Sequence, residues 1–105
     1  MIHHIVLFKL NPQVTPEKLE TMMRQTRTHL LKIGEVVSLK CGKNTDPASP
    51  WGFFLAVDVE SMEKLALYRE SAVHMKFVEE VIKPNTCERL AVDYEMEPGK
   101  DIRYS

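Results

Sequence analysis

Residues 51–95, WGFFLAVDVESMEKLALYRESAVHMKFVEEVIKPNTCERLAVDYE, decide the fold, because they hold a strand, an interrupted helix and a second strand in that order. The run Trp51–Glu60 is apolar and β-branched without alternation, the composition of a strand covered on both faces. Ser61 offers an N-cap and Glu63 a negative charge in the first turn of the helix that follows. Leu65, Leu67 and Tyr68 then run into Ser71, which can cap a new segment carrying Val73, His74, Phe77, Val78 and Ile82. The spacing therefore predicts a helix broken near Ser71. Pro84 and Asn85 end it, and Arg89–Glu95 forms a last strand with Leu90, Val92 and Tyr94 on one face.

The residues before this stretch repeat the same order. Met1–Leu10 (MIHHIVLFKL) is apolar on both faces, and Thr15 followed by Pro16 is an N-cap with proline at the first helical position. Leu19, Met22, Met23, Thr26, Leu30 and Ile33 make one apolar stripe, predicting a helix over roughly 16–32 that Gly34 ends in the left-handed conformation. Met22 and Met23 read as core filling between helix and sheet. A short strand over Val36–Gly42 and a turn-rich loop over Asn44–Pro50 complete the first half.

Two βαβ units in 105 residues predict an α+β domain of the ferredoxin-like βαββαβ type. Its four-stranded antiparallel sheet carries helices on one face. The domain is expected over residues 1–97, with 98–105 a polar C-terminal tail. Because strands 1–10 and 51–60 are apolar on both faces, the helix-free face needs a cover, and a second copy packed sheet to sheet supplies one. A homodimer through that face, a dimeric α/β barrel, is the expectation.

Composition narrows the function. With 44% hydrophobic and 28% charged residues the chain has a globular make-up. A net charge of −1 provides no field for gathering nucleic acid. The longest apolar runs fall far short of the roughly 18 residues of a membrane span, and no secretion signal is visible, so a cytoplasmic protein without membrane or nucleic-acid partners is expected. Cys41 and Cys87 show no CxxC spacing and read as free thiols. His3, His4, His29 and His74 lack a metal-ligand spacing, so neither metal nor cofactor is expected.

Three segments resemble the stress-responsive α/β-barrel family, also called the Dabb or dimeric α/β-barrel family. HHIVLFKL resembles the family's opening H-x-V-x-F-K strand, YRESAVHMKFVEEVIKP its Y-x-x-H-P-x-H segment, and RLAVDYE its closing strand. With the LKCGKN turn and the VESMEKL helix start, the resemblance covers roughly residues 1–96. It implies a homodimeric barrel and divergent functions: one branch holds a plant polyketide cyclase that performs an intramolecular aldol condensation, another holds stress proteins without established catalysis. By position, the cyclase's tyrosine falls on Tyr68, its base histidine on His74 and its first-strand histidine on His4. A further cyclase histidine is replaced by Phe53, and the family's His-Pro step by Ser71-Ala72.

Aldol chemistry needs a base near neutral pKa and a donor for the enolate oxygen, and imidazole and phenol suit those parts. His74 and Tyr68 are therefore the candidate catalytic pair. At about 100° per residue, six residues put them roughly 240° apart on a continuous helix, so only a break at Ser71 lets both face one cavity. The same cavity is expected to be lined by His4, Val6, Phe8, Phe53, Leu55 and Phe77, with Trp51 roofing its mouth. Asp93-Tyr94 reads as a strand-pairing and dimer-contact element. The expected function is binding of a small carbonyl or phenolic compound, with a cofactor-free lyase or cyclase step. The alternatives are a noncatalytic stress or assembly protein and a cofactor-free monooxygenase.

Overall fold

The computed structural model describes residues 1–97. Its elements are β1 (Ile2–Leu10), α1 (Pro16–Leu30), β2 (Ser38–Lys43), β3 (Phe53–Val59), α2 (Met62–Glu70), α3 (Ala72–Phe77), a π-helical turn (Val78–Ile82), α4 (Lys83–Asn85) and β4 (Thr86–Glu95). The strands form one antiparallel sheet in the order β2-β3-β1-β4, the ferredoxin-like arrangement. The tail expected at 98–105 lies outside the described residues.

The helix starts are those the sequence marks. The hydroxyls of Thr15, Ser61 and Ser71 accept hydrogen bonds from the backbone N–H of Lys18, Lys64 and Val73 respectively. The end of α1 differs from expectation. The helix stops at Leu30, Leu31 keeps right-handed helical angles, and Gly34 does not enter the left-handed region. Successive bonds from Lys32 N–H to His29 C=O and from Ile33 N–H to Leu30 C=O tighten the last turn, so the terminal carbonyls are satisfied without a glycine cap.

Ile2, His4, Val6 and Phe8 of β1 and Phe53, Leu55, Val57 and Val59 of β3 all turn to the helix layer and are buried. There they meet Met22, Leu30, Leu65, Tyr68, Phe77 and Val81 in one core. Directly paired residues share a face, so the register assigns the rest. Arg89, Ala91 and Asp93 of β4 sit opposite Phe8, Val6 and His4 on the helix side. Leu90, Val92 and Tyr94 join Ile5, Leu7 and Phe54 on the helix-free side, where Leu90 and Tyr94 are exposed. The outermost strand thus turns its apolar residues away from the helices.

Candidate functional site

Because β4 sets Arg89, Ala91, Asp93 and Glu95, and no large apolar residue, opposite the inward side chains of β1, the layer of α3 and the π-helical turn leaves a gap beside it. The gap is a cavity of about 410 Å³, within the size range of small-molecule sites. Its walls include His4, Val6 and Phe8 of β1, Leu55 of β3, Tyr68 and His74, and Phe77, Val78 and Ile82. Lys83, Glu88 and Arg89 also border it. The π turn widens the helix at the point where Val78 and Ile82 reach the cavity, a placement common at functional sites.

Tyr68 and His74 meet there because of Ser71. Its φ of −58° is helical but its ψ of 134° is extended, so α3 leaves in a new direction. The two rings come within 4.6 Å, centroid to centroid. His74 Nδ1 lies 3.1 Å from the Arg69 carbonyl, which can only accept, so Nδ1 carries the proton and Nε2 keeps a free lone pair. Burial lowers the His74 pKa from its ordinary value. The bond to the Arg69 carbonyl opposes that shift, while the charges of His4, Arg69 and Arg89 add to it. A neutral imidazole results, as a general base requires.

Tyr68 is almost wholly buried, and that burial pushes its phenol well above the usual tyrosine range, against a smaller opposing effect of Arg69. It stays protonated and can donate. Among the described residues its hydroxyl has no hydrogen-bond partner, yet it is not sealed in: Gln25 Oε1 is the one occluded side-chain polar atom left unpaired. The phenol is a donor with nothing yet to donate to, at the wall of a cavity.

Behind this pair lies a chain of polar groups that sequence reasoning missed. His4 Nδ1 is 2.5 Å from Asp93 Oδ1, and Asp93 Oδ2 accepts from Arg69 Nη2 at 3.1 Å. Burial alone would raise the Asp93 carboxyl, but the hydrogen bond and charge of His4, and then Arg69, hold it below the ordinary carboxylate range. The His4 ring is thereby oriented edge-on to Tyr68, at 6.0 Å between centroids. The sequence marks Asp93 only as a charge alternating with the apolar Leu90, Val92 and Tyr94, and the β1 register then brings it opposite His4.

Of the expected site residues, His4, Val6, Phe8, Leu55, Tyr68, His74 and Phe77 come together around the cavity. Phe53 and Trp51 do not. Phe53 stacks on Phe8 at 5.6 Å in the packed core. Trp51 sits 4.9 Å from the Lys9 ammonium, because Lys9 follows Phe8 in the pleat and points to the opposite face. His3 pairs with Asp58 at 2.5 Å on that same helix-free face, and His29 bonds the Gln25 carbonyl within α1. Among the described residues no three His, Cys, Asp or Glu side chains are grouped as metal ligands, and Cys41 and Cys87 are free thiols. No helix among them is long and apolar enough to cross a membrane.

The family model described as "Stress responsive A/B Barrel Domain" (Dabb) matches residues 2–96. No curated protein sequence matches. Among solved structures, a dimeric ferredoxin-like protein of unknown function from Thermobifida fusca is 24% identical, with a TM-score of 0.80 over 90% of this chain and 90% of that one. A Dabb family protein from Mesorhizobium loti is 19% identical, with a TM-score of 0.79 over 91% of this chain and 96% of that one. The hydroxynitrile lyase from Passiflora edulis is 14% identical, with a TM-score of 0.79 over 95% and 96%.

Proposed function

The chain belongs to the stress responsive A/B barrel family, and within it we propose a protein that binds a small carbonyl or phenolic compound beside α3 and acts on it in a cofactor-free, aldol-type lyase or cyclase step. One observation carries this reading. The unpartnered Tyr68 hydroxyl and the free His74 Nε2 converge on one largely apolar cavity through the break at Ser71.

In the proposed step His74 Nε2 takes a proton from a carbon next to a carbonyl, while the Tyr68 hydroxyl donates to the oxygen that becomes the enolate. The carbanion attacks a second carbonyl, and the resulting alkoxide takes the proton back from His74. Run in reverse, the same groups cleave a carbon–carbon bond next to a hydroxyl. The fold shared with a hydroxynitrile lyase supports a scaffold suited to such chemistry.

The reading includes a homodimer closed through the helix-free face, where Ile5, Leu7, Phe54, Leu90 and Val92 form an apolar surface that a monomer would leave to water. The dimeric description of the Thermobifida fusca neighbour supports it. That same surface favours a second reading, a noncatalytic assembly protein.

The two separate in a thermal melt. A ligand-binding protein gains stability with small phenols or β-diketones by mass action, whereas an assembly protein responds to its own concentration alone. A ligand-dependent rise in Tm that His74→Ala and Tyr68→Phe both reduce supports the catalytic-pair reading. A ligand whose binding and turnover survive His74→Ala overturns the base assignment.

A further inference from the structure

We infer that the ligand of this cavity carries a carboxylate, and that Arg89 receives it. The inference rests on the ligand-binding reading above and adds the substrate class to it.

The charges around the cavity are nearly all spoken for. The Lys83 ammonium is held by Glu79 at 2.5 Å, and Glu88 by Lys9. Arg69 binds Asp93 at 3.1 Å, and Asp93 also holds His4. Arg89 alone among these lining and flanking cations has no carboxylate and no hydrogen-bond acceptor among the described residues. The register sets Arg89 on the cavity side of β4, opposite Phe8, where it borders the same space as Tyr68 and His74.

Among the described residues Arg89 is the one cation on the cavity wall without a carboxylate partner, which suits an anionic group on the ligand. A guanidinium presents a planar fork that matches both oxygens of a carboxylate. Arg89 and Asp93 are four residues apart on one strand, about 13 Å between Cα atoms, with only Ala91 between them on that face. A ligand held by its carboxylate at Arg89 therefore extends along Val6 towards His4, Tyr68 and His74. The class is a hydroxy- or oxo-carboxylic acid, aromatic or enolisable, whose oxygen meets Tyr68.

The test compares 4-hydroxybenzoate with its neutral isostere 4-hydroxybenzamide by calorimetric titration of the full chain and of Arg89→Gln and Arg89→Lys. Arg89 is exposed, and an ion pair with an exposed group is worth up to about 1 kcal/mol, so the carboxylate should bind tighter, by up to roughly fivefold. Arg89→Gln should abolish that preference by weakening the carboxylate more than the amide, and Arg89→Lys should retain part of it. Arg89 is exposed, so these variants keep the fold, which a melt verifies. Equal affinity for the two probes, or a preference that survives Arg89→Gln, overturns the inference and leaves the cavity reading standing. Failure of both probes to bind at millimolar concentration overturns both.

Discussion

Substitution of Ser71 tests how the site is held open. The Ser71 hydroxyl accepts from Val73 N–H at 3.2 Å, and its own N–H donates to the Tyr68 carbonyl at 3.2 Å. Ser71→Ala removes the first bond and spares the second. Loss of an N-cap costs about 1 kcal/mol, which in a domain near this size lowers Tm by roughly 4–8 °C. Alanine also favours the helix, and α2 and α3 could then fuse, carrying Tyr68 and His74 apart. Packing opposes that outcome. Phe77 is 1% exposed, and rotating α3 would pull it from the core at a cost of about 3–5 kcal/mol, more than one straightened turn returns. The expected result is a protein about 1 kcal/mol less stable in which the Tyr68–His74 ring contact persists, read as a nuclear Overhauser effect between the two rings. Ser71→Asp keeps a capping oxygen and should melt close to the parent. An alanine variant as stable as the parent would remove the capping argument. Loss of the ring contact would show that Ser71, and not Phe77, holds the break.

Tyr68→Phe should leave Tm nearly unchanged, since the hydroxyl has no protein partner, while weakening a bound phenol or ketone about fivefold by titration; a large loss of Tm would mean that the hydroxyl is structural. In a proton NMR titration His74 should have its midpoint below 6.5. The unfolded chain then binds more protons than the fold, so stability rises with pH between that midpoint and 6.5, and turnover falls as pH drops through it; a midpoint at or above 6.5 contradicts the burial argument. Asp93→Asn should cost about 1 kcal/mol at neutral pH, discounted because the carboxyl is 27% exposed. The Asp93 pKa is lowered on folding, so the advantage of the parent over the asparagine variant is present above 3.8 and fades as pH falls through the folded value; a pH-independent difference in denaturant melts would contradict the pairing.

The fold is legible in the sequence because its signals are local. Thr15, Ser61 and Ser71 mark helix starts by side-chain chemistry, and the apolar runs at 1–10 and 51–60 mark the central strands. What failed depends on neighbours distant in the chain. β4 begins at Thr86 instead of Arg89, because Thr86 pairs with Leu10 beyond a register shift in β1. The π turn at 78–82 leaves no periodic trace, since one extra residue in a turn resembles ordinary helix. In the site, Tyr68, His74 and His4 were reachable from the resemblance and the break. Asp93 was not seen as the partner of His4, because the two are 89 residues apart and meet only once β4 is registered on β1.

That register carries much of what makes the site. A strand slipped by one residue exchanges its two faces. For β4 the slip would place Leu90, Val92 and Tyr94 against the cavity and turn Arg89 and Asp93 to the helix-free side. The cavity would fill with apolar side chains, His4 would lose its carboxylate, and the surface proposed for the partner copy would gain two charges. Neither alternation nor core burial alone chooses between the two registers, since β4 is exposed along most of its length. The choice falls to specific pairs: Asp93 with His4, Arg69 with Asp93, and Glu88 with Lys9 beside the irregularity at Lys9/Leu10. The polar chain behind Tyr68 thus has two roles at once, orienting a cavity histidine and fixing which face of β4 the cavity sees.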